Sequence, residues 1–118
     1  MVSSAREFFT EQSAQPRAPR LAGVKGAYEF AIDGRDHWYM RVDDGNVTVS
    51  LDPDPKAQTD CLISCSEDDF VGIVNGERNM VTHALRGRVH ISGNLGLAQS
   101  FSSFARSRKT SAPRGGQP

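Results

Sequence analysis

The chain has 118 residues, and its 14 Lys plus Arg balance its 14 Asp plus Glu. This length fits a single domain, and the balanced charge does not favour a nucleic acid or a strongly acidic partner. No stretch approaches the roughly 20 apolar residues of a membrane span, and the N-terminus lacks the apolar run of a signal peptide. We therefore expect a soluble, cytoplasmic protein.

Residues 1–23 are predicted to precede the main domain. A short helix opened by Ser3 or Ser4 is predicted at their start, with Phe8 and Phe9 as its only large apolar side chains. A stretch rich in proline and arginine follows, and this composition suits an extended linker. We therefore expect the packed domain to begin after residue 23.

Three strands are predicted between Gly26 and Leu51, because apolar and polar side chains alternate there with the period of a half-buried strand. The apolar positions are Tyr28, Phe30, Ile32, Trp38, Met40, Val42, Val47, Val49 and Leu51. Asp33-Gly34 and Asp44-Gly45 supply residues that tolerate the positive φ angles of tight hairpin turns. The three strands should therefore form an antiparallel meander with one polar face.

Two more strands are predicted, from Thr59 to Cys65 and from Arg88 to Ser92. In the first of them, Cys61 would lie about 13 Å from Cys65 at about 3.3 Å per residue. This separation is too large for a disulfide. The sequence thus indicates an α+β fold, in which five predicted strands, mainly antiparallel, need helices to cover their apolar face.

Three helices are predicted after the meander. The first begins at Ser66, an N-cap residue followed by three acidic side chains, and it ends at Gly76. The second covers Met80 to Arg86. The last carries one apolar stripe, formed by Leu97, Ala98, Phe101, Phe104 and Ala105. Residues 106–118 follow as a basic tail without an apolar anchor, and they are predicted to be disordered.

Several segments, in their order and spacing, resemble one known family. They are GAYEFAIDG, Trp38 with the following DDG, TDCLISCSEDDF, Gly76 and LRGRVHISGNLGLAQSF. Together they are similar to the sterol carrier protein 2 (SCP2) sterol-binding domain, and they place that domain at residues 24–105. The resemblance implies an apolar tunnel, between a five-stranded sheet and its covering helices, that takes a sterol, a fatty acid or an acyl-CoA.

A tunnel of this kind would be lined by apolar side chains of the sheet and of the helices above it. These are Phe30, Ile32, Trp38, Met40, Phe70, Ile73, Met80, Leu97, Phe101 and Phe104. Periodicity alone does not distinguish a hollow core from a solid one filled by the same residues. If the last helix opens the tunnel, Phe101→Ala with Phe104→Ala should weaken lipid binding more than stability.

The expected function is non-covalent binding, and transfer, of a sterol, fatty acid or acyl-CoA-like lipid. The basic tail would support transient contact with a membrane surface, since each Lys or Arg near anionic headgroups contributes up to about 1 kcal/mol. One alternative is a ligand-free interaction module with the same fold. Its contact surface would be an edge strand of the sheet or the Phe8-Phe9 pair.

A second alternative is an enzyme. Small α/β cones isomerise steroids with a buried Asp base and a Tyr that polarises a carbonyl, for which Tyr28 and Asp60 are the candidates. Those cones open with helices, whereas this domain is predicted to open with hairpins. Nucleophile-elbow, GxGxxG and Walker motifs are absent. Four Cys and His side chains are considered as metal ligands, and their spacing matches no common zinc site: Cys61, Cys65, His83 and His90. We therefore expect that the protein is not an enzyme and that it holds neither a cofactor nor a metal ion.

Overall fold

The structure, a computed structural model, describes residues 2–15, 17–51 and 59–110, with side chains described as far as Ser107. Four helices and five strands follow one another within these residues. In chain order they are α1 (Ala5–Ala14), β1 (Lys25–Ile32), β2 (Asp36–Asp43), β3 (Asn46–Leu51), β4 (Cys61–Cys65), α2 (Glu67–Val74), α3 (Met80–Leu85), β5 (His90–Gly93) and α4 (Leu95–Thr110). A short 3-10 turn at Pro19–Leu21 lies between α1 and β1.

The five strands form one sheet in the order β3-β2-β1-β4-β5. Three neighbouring pairs are antiparallel, and β1 with β4 is parallel. This confirms the predicted α+β fold with a mainly antiparallel sheet. The parallel pair places β4 beside β1 instead of beside β3, so β1 lies at the centre of the sheet.

Both predicted hairpin turns are confirmed by their backbone angles. Asp33 and Gly34 have φ angles of 57° and 66°, and Asp44 and Gly45 have φ angles of 50° and 87°. Two successive positive φ angles match the right-handed twist of the flanking strands. The Asp33 side chain also accepts a hydrogen bond from the backbone N–H of Glu67 at 3.0 Å, so the first turn positions the start of α2.

Helix α1 begins as predicted, because the Ser4 side chain accepts a hydrogen bond from the backbone N–H of Glu7 at 3.1 Å. The helix packs on the inner face of the sheet, where Phe8 and Phe9 are fully buried in the same hydrophobic core as β1 and β2. The boundary predicted after residue 23 therefore separates residues that share one core. The burial of this pair also contradicts the hypothesis that it forms an exposed contact for a partner.

The C-terminal helix is longer than the predicted one. Helix α4 continues to Thr110, so residues 106–110 are helical where a disordered tail was predicted. The stretch after the apolar stripe contains no proline or glycine before residue 113, so nothing there interrupts the backbone hydrogen bonds of the helix. The remainder of the predicted tail, 111–118, lies outside the described residues.

None of the helices in the described part of the chain is long and apolar enough to cross a membrane.

Candidate functional site

Five phenylalanine rings meet between the sheet and the helices, and we call them the aromatic core. They are Phe8, Phe9, Phe30, Phe70 and Phe101. The Phe9 ring centroid lies 5.4 Å from those of both Phe30 and Phe70, and the Phe30 and Phe101 centroids lie 4.8 Å apart. Aromatic pairs at these distances attract one another beyond the effect of burial alone. The aromatic core thus occupies the space where a lipid tunnel was predicted.

All ten residues predicted to line the tunnel are buried in one hydrophobic core. Two of them, Met80 and Phe104, also line pockets that open to solvent. Phe8 and Phe9 were not predicted to belong to this set. The sequence gives little indication that these two side chains are buried. The short helix that carries them has no other large apolar side chain from which a buried face could be recognised.

An apolar groove opens between α3, β5 and α4. Its volume is about 180 Å³, and it is lined by Met80, Val81, Ala84, Leu85, Ile91, Leu95, Ala98 and Gln99. Met80 and Ala98 belong to the buried core and form its deep side, whereas Leu85 and Leu95 are 85% and 64% exposed at its mouth. The groove therefore leads from solvent to the hydrophobic core along apolar walls.

A polar pocket of about 280 Å³ lies at the other end of α4. It is lined by Glu11, Gln12, Gln15, Arg17, Ala18, Pro19, Arg20, Phe104 and Ser107. Leu95 of the groove and Ser107 of the pocket are separated by about 18 Å along the helix at 1.5 Å per residue. Phe101 of the aromatic core lies between them on α4. The two openings are thus separated by the aromatic rings beneath this helix.

The first turn of α4 is fixed over the centre of the sheet by Tyr28. The Tyr28 hydroxyl donates a hydrogen bond to the backbone carbonyl of Leu97 at 2.7 Å, and the ring is fully buried. Burial, with a smaller effect of nearby Cys61, raises the pKa of Tyr28 well above its ordinary value. Gly26 makes this approach possible, since a Cβ there would lie 2.6 Å from Cδ1 of Leu97. The start of α4 is therefore closely packed on β1.

The two side chains considered for an isomerase have structural partners. Tyr28 donates its hydroxyl proton to the Leu97 carbonyl, and Asp60 accepts a hydrogen bond from the backbone N–H of Ala27 at 2.9 Å. Asp60 is also exposed, whereas the base of such an enzyme is buried. Asp60 thus joins the start of β4 to the central strand β1, and Tyr28 holds the start of α4.

Removing the Tyr28 hydroxyl tests how firmly α4 is held. Tyr28→Phe should lower the free energy of unfolding by about 1 kcal/mol, because the variant loses one buried hydrogen bond. Urea unfolding followed by circular dichroism measures the difference. Tyr39→Phe, on the open face of the same sheet, is the control and should change stability by less than about 0.5 kcal/mol. Equal effects of the two substitutions would contradict the anchoring role of Tyr28.

The wall of the groove formed by α3 is held by one buried carboxylate, Asp69. Its Oδ1 accepts hydrogen bonds from Arg78 at 3.0 Å, before α3, and from Nη2 of Arg88 at 3.2 Å, after α3. Ser66 donates to its Oδ2 at 3.1 Å. Burial alone would raise the pKa of Asp69, but the hydrogen bonds from Arg88 and Ser66 and the charges of Arg88 and His83 lower it below its ordinary value. The ionised carboxylate thus joins both ends of α3 to α2.

His83, on α3, faces this carboxylate. Its Nε2 lies 3.8 Å from Oδ1 of Asp69, and its Nδ1 is buried without a hydrogen-bond partner among the described residues. Cys61 and Cys65 lie on the inner face of β4 as buried free thiols. His90 is exposed in β5. The four soft ligands are therefore spread over three elements.

Comparison with known proteins supports the resemblance seen in the sequence. The SCP-2 sterol transfer family matches residues 7–106. The chain is 32% identical over 83 residues to sterol carrier protein 2 of Gallus gallus, and this match covers 66% of the chain but only 15% of that longer protein.

Two solved structures share the fold. Palmitated SCP2L2 from Aedes aegypti has a TM-score of 0.65 at 16% identity, with 87% of this chain and 95% of that chain covered. A sec-alkylsulfatase from Pseudomonas sp. has a TM-score of 0.67 at 14% identity, with 83% of this chain and 15% of that chain covered. At these identities the two likenesses show the fold alone. The family match, which spans most of the chain and begins within α1, shows that the chain belongs to the SCP-2 sterol transfer family.

Proposed function

We propose that this chain binds a lipid non-covalently, with the apolar part of the lipid entering through the apolar groove between α3, β5 and α4. The observation that carries the proposal is the groove itself, because its walls are apolar and its deep side consists of core residues Met80 and Ala98. Membership of the family supports binding and transfer of lipids in general. The proposed ligand classes are a sterol, a fatty acid and an acyl-CoA.

The groove provides only part of the volume that such a ligand needs. Its volume of about 180 Å³ is smaller than the roughly 300–1,000 Å³ of small-molecule sites. The remaining space lies beneath α4, where rings of the aromatic core must move aside. Phe101 on α4 and Phe8 on α1 are the rings between the two openings. Binding therefore requires α4, α1 or both to shift away from the sheet.

The polar pocket suits the opposite end of an amphiphilic ligand. Arg20 and Arg17, which also bonds to Asn46, supply positive charge against one negative charge from Glu11, and the buried amide of Gln12 supplies both a donor and an acceptor. Phe104 is shared between this pocket and the hydrophobic core. A chain lying under α4 would thus have an apolar end in the groove and a polar end near the two arginines.

The energetics favour a carrier over a permanent lipid site. Each buried methylene contributes about 0.8 kcal/mol relative to water, and a bilayer offers the same gain. The difference in free energy between protein-bound and bilayer-bound lipid is consequently small. A protein of this kind can load and release its ligand without chemical change, which is consistent with the structural roles of Tyr28 and Asp60.

Filling the groove tests the proposal. Ala84→Phe should lower the affinity for a fluorescent fatty-acyl probe about tenfold, because the ring occupies the volume that the acyl chain needs. Ala14→Phe, at an exposed position of α1 outside both pockets, should bind the probe as the unmodified protein does. Fluorescence titration gives both affinities, and mass spectrometry of an organic extract of natively purified protein identifies any co-purified lipid. Unchanged affinity for Ala84→Phe would exclude the groove as the entrance.

The close packing of the aromatic core favours a second candidate function. In this alternative the protein has the same fold but binds no lipid, and it acts by contacting another protein. With Phe8 and Phe9 buried, its contact surface would be an edge strand or the groove. A natively purified protein that contains no lipid, ignores sterol and fatty-acyl probes and self-associates in sedimentation would favour this candidate over lipid binding.

A further inference from the structure

Acidic and basic residues are unevenly distributed along the chain, although its formal net charge is zero. All 14 acidic residues lie in 1–77, and residues 78–118 contain none. Half of the basic residues lie in that second segment, namely Arg78, Arg86, Arg88, Arg106, Arg108, Lys109 and Arg114. The segment includes α3, β5 and α4, the three elements that form the apolar groove. The mouth of the groove is thus built from a part of the chain that carries positive charge only.

Apolar side chains project from the same place. Four large apolar side chains are exposed among the described residues, and three of them line the groove: Val81, Leu85 and Leu95. We call these three the apolar rim. Leu85 is the last residue of α3, and its side chain is 85% exposed.

An arginine lies directly beside the apolar rim. Arg86 follows Leu85 in sequence, is exposed, and forms no ion pair with the described residues. Arg88, two residues further, keeps a largely exposed side chain although its guanidinium contacts Asp69. Exposed apolar side chains beside an arginine such as Arg86, which is not neutralised by an ion pair with the described residues, are a combination that binds the interface of an anionic bilayer.

We propose that the apolar rim and Arg86 form a surface that docks on an anionic lipid bilayer. The rim enters the boundary between headgroups and acyl chains, and Arg86 contacts the headgroups. This inference rests on the proposed function, because docking would place the mouth of the groove against the acyl region, where a lipid can pass between protein and bilayer.

The charge distribution favours a bilayer over a protein partner or a second copy of the chain. The elements α3, β5 and α4 contain no acidic residue, so Arg86 at the mouth of the groove attracts an anionic surface without an opposing charge on these elements. A second copy offers the same positive charge at this place, and like charges would oppose a symmetric contact through it.

Vesicle binding of paired variants tests the docking surface. Co-sedimentation is measured with phosphatidylcholine vesicles, with and without phosphatidylglycerol. Leu85→Ser with Leu95→Ser should lower the partition coefficient on anionic vesicles roughly tenfold. Arg86→Glu should lower it at least about fivefold, and this loss should disappear in high salt, where surface charge is screened. Both changes are at exposed positions, and thermal melting checks that the fold is kept.

Two matched substitutions outside the surface serve as controls. Leu51→Ser removes the fourth large apolar side chain that is exposed among the described residues, at the end of β3, and Arg35→Glu reverses a charge in the turn after β1. Both should bind anionic vesicles as the unmodified protein does. Equal binding by surface and control variants would overturn the docking surface, as would self-association that depends on Leu85 and Leu95 without vesicles.

Titration of the fluorescent fatty-acyl probe without vesicles separates this inference from the proposed function. Probe binding without rim-dependent vesicle binding overturns the docking surface and leaves the proposed function standing. Vesicle binding that depends on the rim, in a protein that binds no probe, supports the docking surface and counts against the proposed function.

Discussion

Replacing Phe9 with alanine is expected to lower the free energy of unfolding by about 3–5 kcal/mol, the usual cost of truncating a buried phenylalanine. The Phe9 ring has no solvent exposure, and it stacks on Trp38 with a centroid distance of 4.7 Å and on Phe70 at 5.4 Å. Removal leaves a cavity between α1, α2 and the sheet. Since domains of this size are stable by only about 5–15 kcal/mol, urea unfolding should show a large shift of the midpoint.

The control for this substitution is Thr10→Ala, at the next position of α1. Thr10 is exposed, so its replacement should change stability by less than about 0.5 kcal/mol. A loss below about 1 kcal/mol for Phe9→Ala would mean that α1 contributes little to the core. It would also favour the boundary after residue 23 that the sequence suggests.

Replacing Asp69 with asparagine is expected to lower the free energy of unfolding by about 2 kcal/mol at neutral pH, the usual value of a hydrogen bond to a charged group. The variant keeps the shape of the side chain but loses the charge that Arg78 and Arg88 share. Urea unfolding at neutral pH measures the loss. Asp68→Asn, at an exposed carboxylate that also contacts Arg78, is the control and should cost less than about 1 kcal/mol.

The pH dependence of the same variant gives an independent check. The pKa of Asp69 is lower in the folded protein than its ordinary value of about 3.9. Its stabilising effect is therefore complete above that ordinary value and is lost as the pH falls through the folded pKa. The unmodified protein and Asp69→Asn should thus differ at neutral pH and converge in acid. A difference that stays constant at all pH values would show that the charge of Asp69 does not hold α3.

The structure changes the expected result of substituting Phe101 and Phe104. The sequence suggested that alanine at both positions would affect lipid binding more than stability. Phe101 contacts Phe30 and Phe70 in the aromatic core and is almost fully buried. Alanine at this position alone is consequently expected to cost several kcal/mol of stability. A test of ligand entry is better made at Ala84, where the side chain lines the groove.

The strands were predictable because their signals are local. Alternation along residues 28–51 depends on neighbours two positions apart, and Asp-Gly pairs determine turn geometry by themselves. The helix starts at Ser4 and Ser66 were predictable for the same reason, since a capping side chain bonds to a backbone N–H three residues ahead. Family resemblance added the sheet with helices on one face, which the structure confirms.

Features that depend on contacts between distant segments were not predictable in this way. The parallel pairing of β4 with β1 depends on where the chain returns to the sheet after β3, and the pattern of neighbouring residues does not predict that position. The burial of Phe8 and Phe9 depends on rings that β1, β2 and α2 supply from elsewhere in the chain. The exposure of Leu85 depends on where α3 ends relative to the core. These features define the groove and the filled space beneath α4.

The contact between α1 and β2 gives the protein a built-in spectroscopic reporter. Trp38 is the only tryptophan of the chain, and its indole ring contacts Phe9 at 4.7 Å and the Arg6 guanidinium at 5.5 Å, both from α1. Its emission therefore responds to whether α1 is packed on the sheet or has moved away and admitted water. Ligand-induced movement of this helix can consequently be followed in real time by intrinsic fluorescence, without an attached dye.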